Sequence, residues 1–516
     1  MLIETANGIS RTAVTPSTPF TSFWPRVREF AVPPSMIETA TARRLAGDWA
    51  GACAAAGFDV DLRLRTVART HGTDLVAHVR SDLRRLAPDL LRWHMPRIAP
   101  DGLLRPGLTL TLARYEAAGR DGVRPVHLVA RTAPAWADAG QRISLTLWDA
   151  SRPDPAPGAT ARVDDPPHRP PGQHAPPHSY PAPHPHPHPR PNGRFRLDLH
   201  RHLWDAGRAH EFPTRAGADL PDEAGAAALP VAVPEGGRCA VARWADEARI
   251  LLAADGRPPD TPVLVRLGGA RRVVLDPAEG AATLLDPDAG TAGSAGTVEA
   301  AGPAETAVRL RSVSRSAAAT LPVLPDAATW VAPDLELLRG GAIDADRLHP
   351  LVAAALVPGY VPGGPSAAPD DPGRPRLVEC RGTRHRIGLV DGVLAALDHP
   401  PDEIRREELL VALTGSPLPC LRAIDDAHRR PECLTGVRER LQHGDVAGAL
   451  AVVEGLLGPE ALLRDGPLRD ALEATARQRL TYGLFRSGLT GPGRAGLHDR
   501  PPPRTGRSRP RNATTR

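Results

Sequence analysis

Apolar residues along this chain change period several times, and each change marks an element. Over 37–56, Leu45, Trp49, Ala52 and Cys53 fall on one side of an α-helix, and Gly57 follows as its stop. Leu75, Val79, Leu83 and Leu86 form a second helical stripe over 73–86, with Pro88 just beyond it. The period then drops to two. Leu108, Leu110 and Leu112 alternate within 107–116, and further strands are predicted over 125–133 and 142–150. Helices followed by closely spaced strands predict an antiparallel meander packed on helices.

The tract 152–191 interrupts this pattern, with fifteen prolines and six histidines in forty residues. It has almost no apolar side chains, so burial cannot offset the entropy of ordering it. The runs on either side echo each other. Ile143, Leu145 and Leu147 alternate before it, Phe195, Leu197 and Leu199 after it, and both runs end in Trp-Asp-Ala. This reads as one β-hairpin with an overgrown loop, residues 142–148 pairing with 194–199. Loop-closure entropy grows only logarithmically with length, so such a loop is tolerable.

Downstream, Val241, Trp244, Ala248 and Leu251 predict a helix over 238–254, and Gly268-Gly269 turns a hairpin over 261–276. An Ala/Gly-rich stretch follows, then short helices over 334–338 and 346–356. Asp391-Gly392 between apolar runs is a strong hairpin signal. Helices are predicted after it over 402–413, stopped by Gly415, then over 437–441, 446–457 and 467–483. The expected fold class is therefore α+β: N-terminal helices packed on an antiparallel sheet with a long disordered Pro/His loop, then a C-terminal hairpin-plus-helices region. The expected organisation is a poorly ordered N-terminus (1–35), an α+β domain (36–276) containing the disordered loop 151–193, a linker (277–305), a short helical segment (306–357), a linker (358–375), the hairpin-plus-helices domain (376–490) and a disordered Arg-rich tail (491–516).

Composition changes this picture mainly by exclusion. All 64 basic residues are arginine, so lysine is absent. P-loop, Schiff-base, kinase-type and Ser–Lys chemistries are thereby ruled out. Asparagine occurs only at Asn7, Asn192 and Asn512, which fits a GC-rich bacterial genome. The formal charge of +5 resides in the tail, where seven arginines face only Asp499, so nucleic acid is a partner only through that tail. Cys53, Cys239, Cys380, Cys420 and Cys433 are odd in number and far apart, which suits a reducing cytoplasm rather than a disulfide framework. No apolar run is long enough for a membrane span, and the first residues lack the core of a signal peptide, so no membrane is expected.

Candidate chemistry is sparse. His184, His186 and His188 are metal-ligand types, but they alternate with proline. In polyproline II the side chains share a face every third residue, so these three point different ways and span about 12 Å. His200 and His202, two apart in a predicted strand, share a face, with His210 nearby. His210-Glu211 lacks the second histidine of HExxH. Cys380, His385, Cys420, His428 and Cys433 have zinc-ligand chemistry at spacings looser than those of finger or ribbon sites. Asp59 and Asp61 pair two carboxylates at a strand start. The GxGxxG match at 491–496 has no strand before it, and Ser294 sits in a linker rather than at a nucleophile elbow. No catalytic set and no cofactor is expected.

The reading is a cytoplasmic interaction or scaffold protein of a high-GC bacterium, whose partner is another protein that supplies any nucleotide hydrolysis. The alternatives are a hydrolase or transferase with a site assembled in space, around His200, His202 or the Cys380 hairpin, and a metal-handling or nucleic-acid-associated protein.

Overall fold

Proline and glycine cut the N-terminal part of the chain into short helices. A computed structural model describes residues 23–489 except 117–124, 138–140, 150–189, 220–237, 269–270, 278–280, 286–319, 362–374 and 416. Helix α1 (Trp24–Phe30) is followed by α2 (Pro34–Leu45) and α3 (Trp49–Ala55). The single helix expected over 37–56 is thus two. Gly47 takes a left-handed φ of 77°, and the Asp48 carboxylate caps α3 by accepting from the Gly51 N–H at 2.8 Å. Strand β1 (Phe58–Val60), α4 (Leu64–His71), α5 (Thr73–Arg85) and α6 (Pro88–His94) come next. The predicted stripe of α5 is buried, and Pro88 opens α6 instead of merely ending α5.

A two-stranded ribbon, β2 (Arg97–Ile98) and β3 (Leu103–Leu104), leads into β4 (Thr109–Tyr115), β5 (Val126–Thr132) and β6 (Ile143–Asp149). These strands form a mixed sheet in the order β1-β6-β5-β4, with β6 antiparallel to β5 and parallel to β1. The expected hairpin between 142–148 and 194–199 is not formed. Strand β5 takes one side of β6 along its length, and β1 takes the other side over Ile143–Leu145, within the stretch expected to pair with 194–199. Those residues instead make a 3-10 turn (Gly193–Phe195) at the opposite edge, where Arg196 bridges Thr111 of β4 and the Asp198 N–H donates to the Thr111 carbonyl at 2.9 Å. The echo is one of composition only. Trp148 lies half-buried against His127, whereas Trp204 is fully buried and donates its indole N–H to the Leu197 carbonyl.

Three regions differ from the expected organisation. Phe23, Trp24 and Val27 lie within the stretch expected to be poorly ordered, yet they enter the first core. Helix α7 (Phe212–Ala216) belongs to the same core, whereas α8 (Val241–Ala254) packs on a second sheet of β7 (Val263–Gly268), β8 (Arg271–Asp276) and β9 (Ala281–Leu285). Strand β9 falls in the expected linker and pairs antiparallel with β8. Beyond it, α9 (Asp326–Thr329) joins the second core, while α10 (Pro333–Arg339) and α11 (Pro350–Leu356) return to the first. Asp334 of α10 makes a fully buried ion pair with Arg28 of α1, at 2.7 Å, and accepts from the Trp93 indole.

The C-terminal unit has a meander, β10 (Arg376–Cys380), β11 (Thr383–Val390) and β12 (Val393–Ala396), where one hairpin was expected. Five helices follow: α12 (Pro401–Thr414), α13 (Pro419–Arg429), α14 (Leu434–His443), α15 (Val446–Leu457) and α16 (Pro467–Arg486). Near its C-terminal end α16 lays Tyr482 and Phe485 on Ala133 and Ala137 of the first body. Among the described residues, no helix is long and apolar enough to cross a membrane.

One buried cation joins these parts. Arg92, 1% exposed, donates to the carbonyls of Ala31, Gln141 and His443 at 2.7–2.9 Å. Burial lowers its pKa only to about 10, so it stays charged. Replacing Arg92 with Met leaves three buried carbonyls unpaired and is expected to cost about 3–5 kcal/mol in urea unfolding. Arg92→Lys should recover little of that, because an ammonium cannot serve three carbonyls in a guanidinium plane.

Buried imidazoles make stability pH-dependent. Burial pushes His200 and His443 down to about 3 and His127 to about 4, against 6.5 when unfolded. The unfolded chain therefore binds more protons between these limits. Stability is full above pH ~7 and falls below about 6.5, by up to about 1.4 kcal/mol per pH unit for each histidine. Urea midpoints measured from pH 7.5 to 5 should show this slope, and His443→Gln should flatten it.

Candidate site at the root of helix α12

The site begins with a tight turn. Arg381 (φ 54°) and Gly382 (φ 79°) join β10 to β11, and a two-residue hairpin turn of this hand needs positive φ at both positions. The register sets Cys380 opposite Thr383 and Val378 opposite His385, so Cys380 and His385 lie on one face of the sheet. That face is covered by α13, which buries Cys420, Ile424, Ala427 and His428 at helical spacing. His399 stands between the end of β12 and Pro401, the first residue of α12.

These elements bring ligand-type side chains together. Ligand atoms of Cys380, His399 and Cys420 all lie within 4.8 Å of one another and all three residues are buried; among the described residues no other such group of His, Cys, Asp and Glu occurs. The His385 ring is 4.3 Å from that of His399, centroid to centroid.

The hydrogen bonds fix both tautomers. Thr383 donates its hydroxyl to the Cys380 carbonyl at 3.1 Å, so at 2.6 Å it accepts from His385 Nε2–H. The Glu403 carboxylate accepts from His399 Nδ1–H at 3.2 Å, which in turn holds Glu403 below its usual range. The lone pairs left over are on His385 Nδ1 and His399 Nε2, and both atoms are buried without a hydrogen-bond partner. Burial, then the adjacent Cys380 thiol, pushes Cys420 up to about 11. Asp398 is turned away to Arg386, whose guanidinium and backbone N–H hold it down at about 2. Two thiols and two imidazoles make a donor set suited to a tetrahedral divalent metal.

Helix α12 grows directly from this cluster. Its acidic side is held there, with Glu403 taking Arg381 at 3.1 Å as well as His399, and Glu407 taking Arg381 too. The other side is bare. Leu409 is 69% and Leu413 85% exposed, Leu410 is exposed beside them, and no described side chain of α12 is buried.

The expected ligands fare unequally. His184, His186 and His188 lie outside the described residues, as does the tail 491–516. His200 and His202 sit at a 3-10 turn, Arg201–Leu203, rather than in a strand. Arg215 approaches His200 Nδ1 at 3.2 Å and takes both oxygens of Glu247, so a guanidinium stands where a cation would bind. His210 is exposed. Asp59 is bound by Arg142 and Tyr482, and Asp61 by Arg486. Of the five zinc-type residues, Cys380 and Cys420 meet; His385, His428 and Cys433 lie outside the group, and His385 reaches it only by stacking on His399. His399 was missed, because a histidine between a strand and a Pro-Pro helix start carries no spacing signal.

Comparison of the chain with models of known families, with curated proteins and with solved structures finds no match.

The thiols give a direct check. Four of the five free cysteines are buried, and burial raises Cys53 and Cys239 to about 12. Ellman's reagent at pH 8 should modify Cys433 alone at an appreciable rate in the native chain, and the other four only on unfolding.

Proposed function

We propose that this chain is a partner-binding protein of a reducing cytoplasm, not an enzyme, and that α12 is its recognition helix. The observation that carries this reading is the bare side of α12. Every other described helix of eight or more residues buries side chains, whereas α12 leaves Leu409, Leu410 and Leu413 in solvent. An apolar helix face kept exposed is a feature of surfaces that dock other proteins. Arg405 and Arg406 are exposed one turn before the leucines, while Glu403 and Glu407 are engaged by Arg381. The partner that fits is a protein with an apolar groove edged by carboxylates. Lacking lysine, the chain relies on that partner for any nucleotide hydrolysis.

A photocrosslinking residue placed at Leu409 in the producing cell tests this. One discrete adduct with a second protein is expected, lost on Leu413→Glu and absent from the control position Leu450. No adduct, the same adduct from the control, or an adduct of two copies of this chain would overturn the reading.

A further inference from the structure

The cluster at the root of α12 is complete enough to name its ligand. We propose that Cys380, Cys420, His399 and His385 bind one Zn²⁺ ion in a closed tetrahedral site that fixes the start of α12. This inference rests on the donor geometry and not on α12 meeting a partner.

Four observations support it. The ligand atoms of Cys380, Cys420 and His399 lie within 4.8 Å of one another, and a zinc tetrahedron with ordinary Zn–S and Zn–N bonds sets them about 3.3–3.8 Å apart, a small contraction; His385 lies outside that set, stacked on His399, and completes the shell by swinging its free Nδ1 inward. Both imidazoles keep a lone pair on a buried nitrogen that nothing else uses. Each imidazole is oriented by a hydrogen bond from its other nitrogen, His399 to Glu403 and His385 to Thr383, the second layer that metal-binding histidines require. Charge also balances: binding releases two thiol protons to solvent, and two thiolates neutralise the cation in a buried place. The four ligands come from β10, β11, the β12–α12 junction and α13, so the ion cross-links the sheet to both helices. With all four positions filled by protein, no place is left for a substrate, and the site is structural.

Elemental analysis of the full chain, made without an affinity tag, tests the proposal. One zinc per chain is expected in the wild type. The same is expected of a variant carrying His184→Ala, His186→Ala and His188→Ala. Cys420→Ala and His399→Ala should retain none. X-ray absorption of the wild type should show two sulfurs at about 2.3 Å and two nitrogens at about 2.0–2.1 Å. This shell decides the matter even if the cysteine variant fails to fold. His385→Ala should keep the ion but exchange one nitrogen for oxygen. Trypsin should cut after Arg405 and Arg406 severalfold faster once a chelator has removed the zinc. Four results would overturn the proposal: zinc lost with the His184–His188 variant, a shell without sulfur, two nitrogens persisting in His385→Ala, or cleavage indifferent to the chelator.

Discussion

Three parts of the chain meet on the guanidinium of Arg92. Its Ala31 acceptor is the C-cap of α1, its His443 acceptor is the last residue of α14, and its Gln141 acceptor precedes β6 at a left-handed φ of 50°. A helix leaves its last carbonyls without partners and gathers partial negative charge there. One buried cation answers two helix ends and a turn at once. The same device recurs around it: Arg28 donates to the Trp93 carbonyl and Arg97 to the Arg92 carbonyl, both at the end of α6. The packing of the C-terminal unit against the N-terminal helices is therefore set by backbone acceptors as much as by apolar contact.

This use of arginine follows from a chain with no lysine. A guanidinium is planar, weakly hydrated and presents five donors, so it can be buried among carbonyls and aromatic rings at lower cost than an ammonium. Arg28 shows the limit of the device. It is sandwiched near Trp24 and Trp93 and donates to one carbonyl only, that of Trp93, so its buried charge is compensated by Asp334 at 2.7 Å. Burial lowers its pKa while Asp334 pulls the other way. That pair is what draws α10, far along the chain, into the first core.

Sequence patterning revealed the elements whose information is local. The stripe of α5, the Asp391-Gly392 turn and the Gly415 stop of α12 stand where period and turn chemistry put them; β4 forms where a strand is expected, but it is buried on both faces from Thr109 to Ala113 and bulges between Thr111 and Ala113, so the alternation itself is lost. What it missed depends on partners distant in sequence. Strand β1 has three residues and exists because β6 offers it a parallel edge. Helix α13 is the exception: its stripe of Cys420, Ile424, Ala427 and His428 is local, but a cysteine, an alanine and a histidine make three of its four members, so few large apolar residues mark its period. Cys380, His385 and Cys420 could be named as a chemical set from residue type. His399, the member that closes it, could not, since only the folded meander places it beside Cys420.

The bodies of this protein are held by two different kinds of force, and α12 marks the division. Elsewhere an apolar face is buried and the polar contacts refine its position. At α12 Leu409, Leu410 and Leu413 are turned outward, and the helix is held at its first two turns by Ile404 against the C-terminal core and by Arg381, Glu403, Glu407 and His399. Exposed ion pairs of this kind contribute little, about 0–1 kcal/mol each. They cannot fix the direction of a 14-residue helix by themselves. Direction comes from the buried end, where Ile404 packs on the C-terminal core and His399, one residue from the helix, packs among Cys380, Cys420 and His385. The order of that buried end therefore sets the direction of the helix, and through it where Leu409 and Leu413 point.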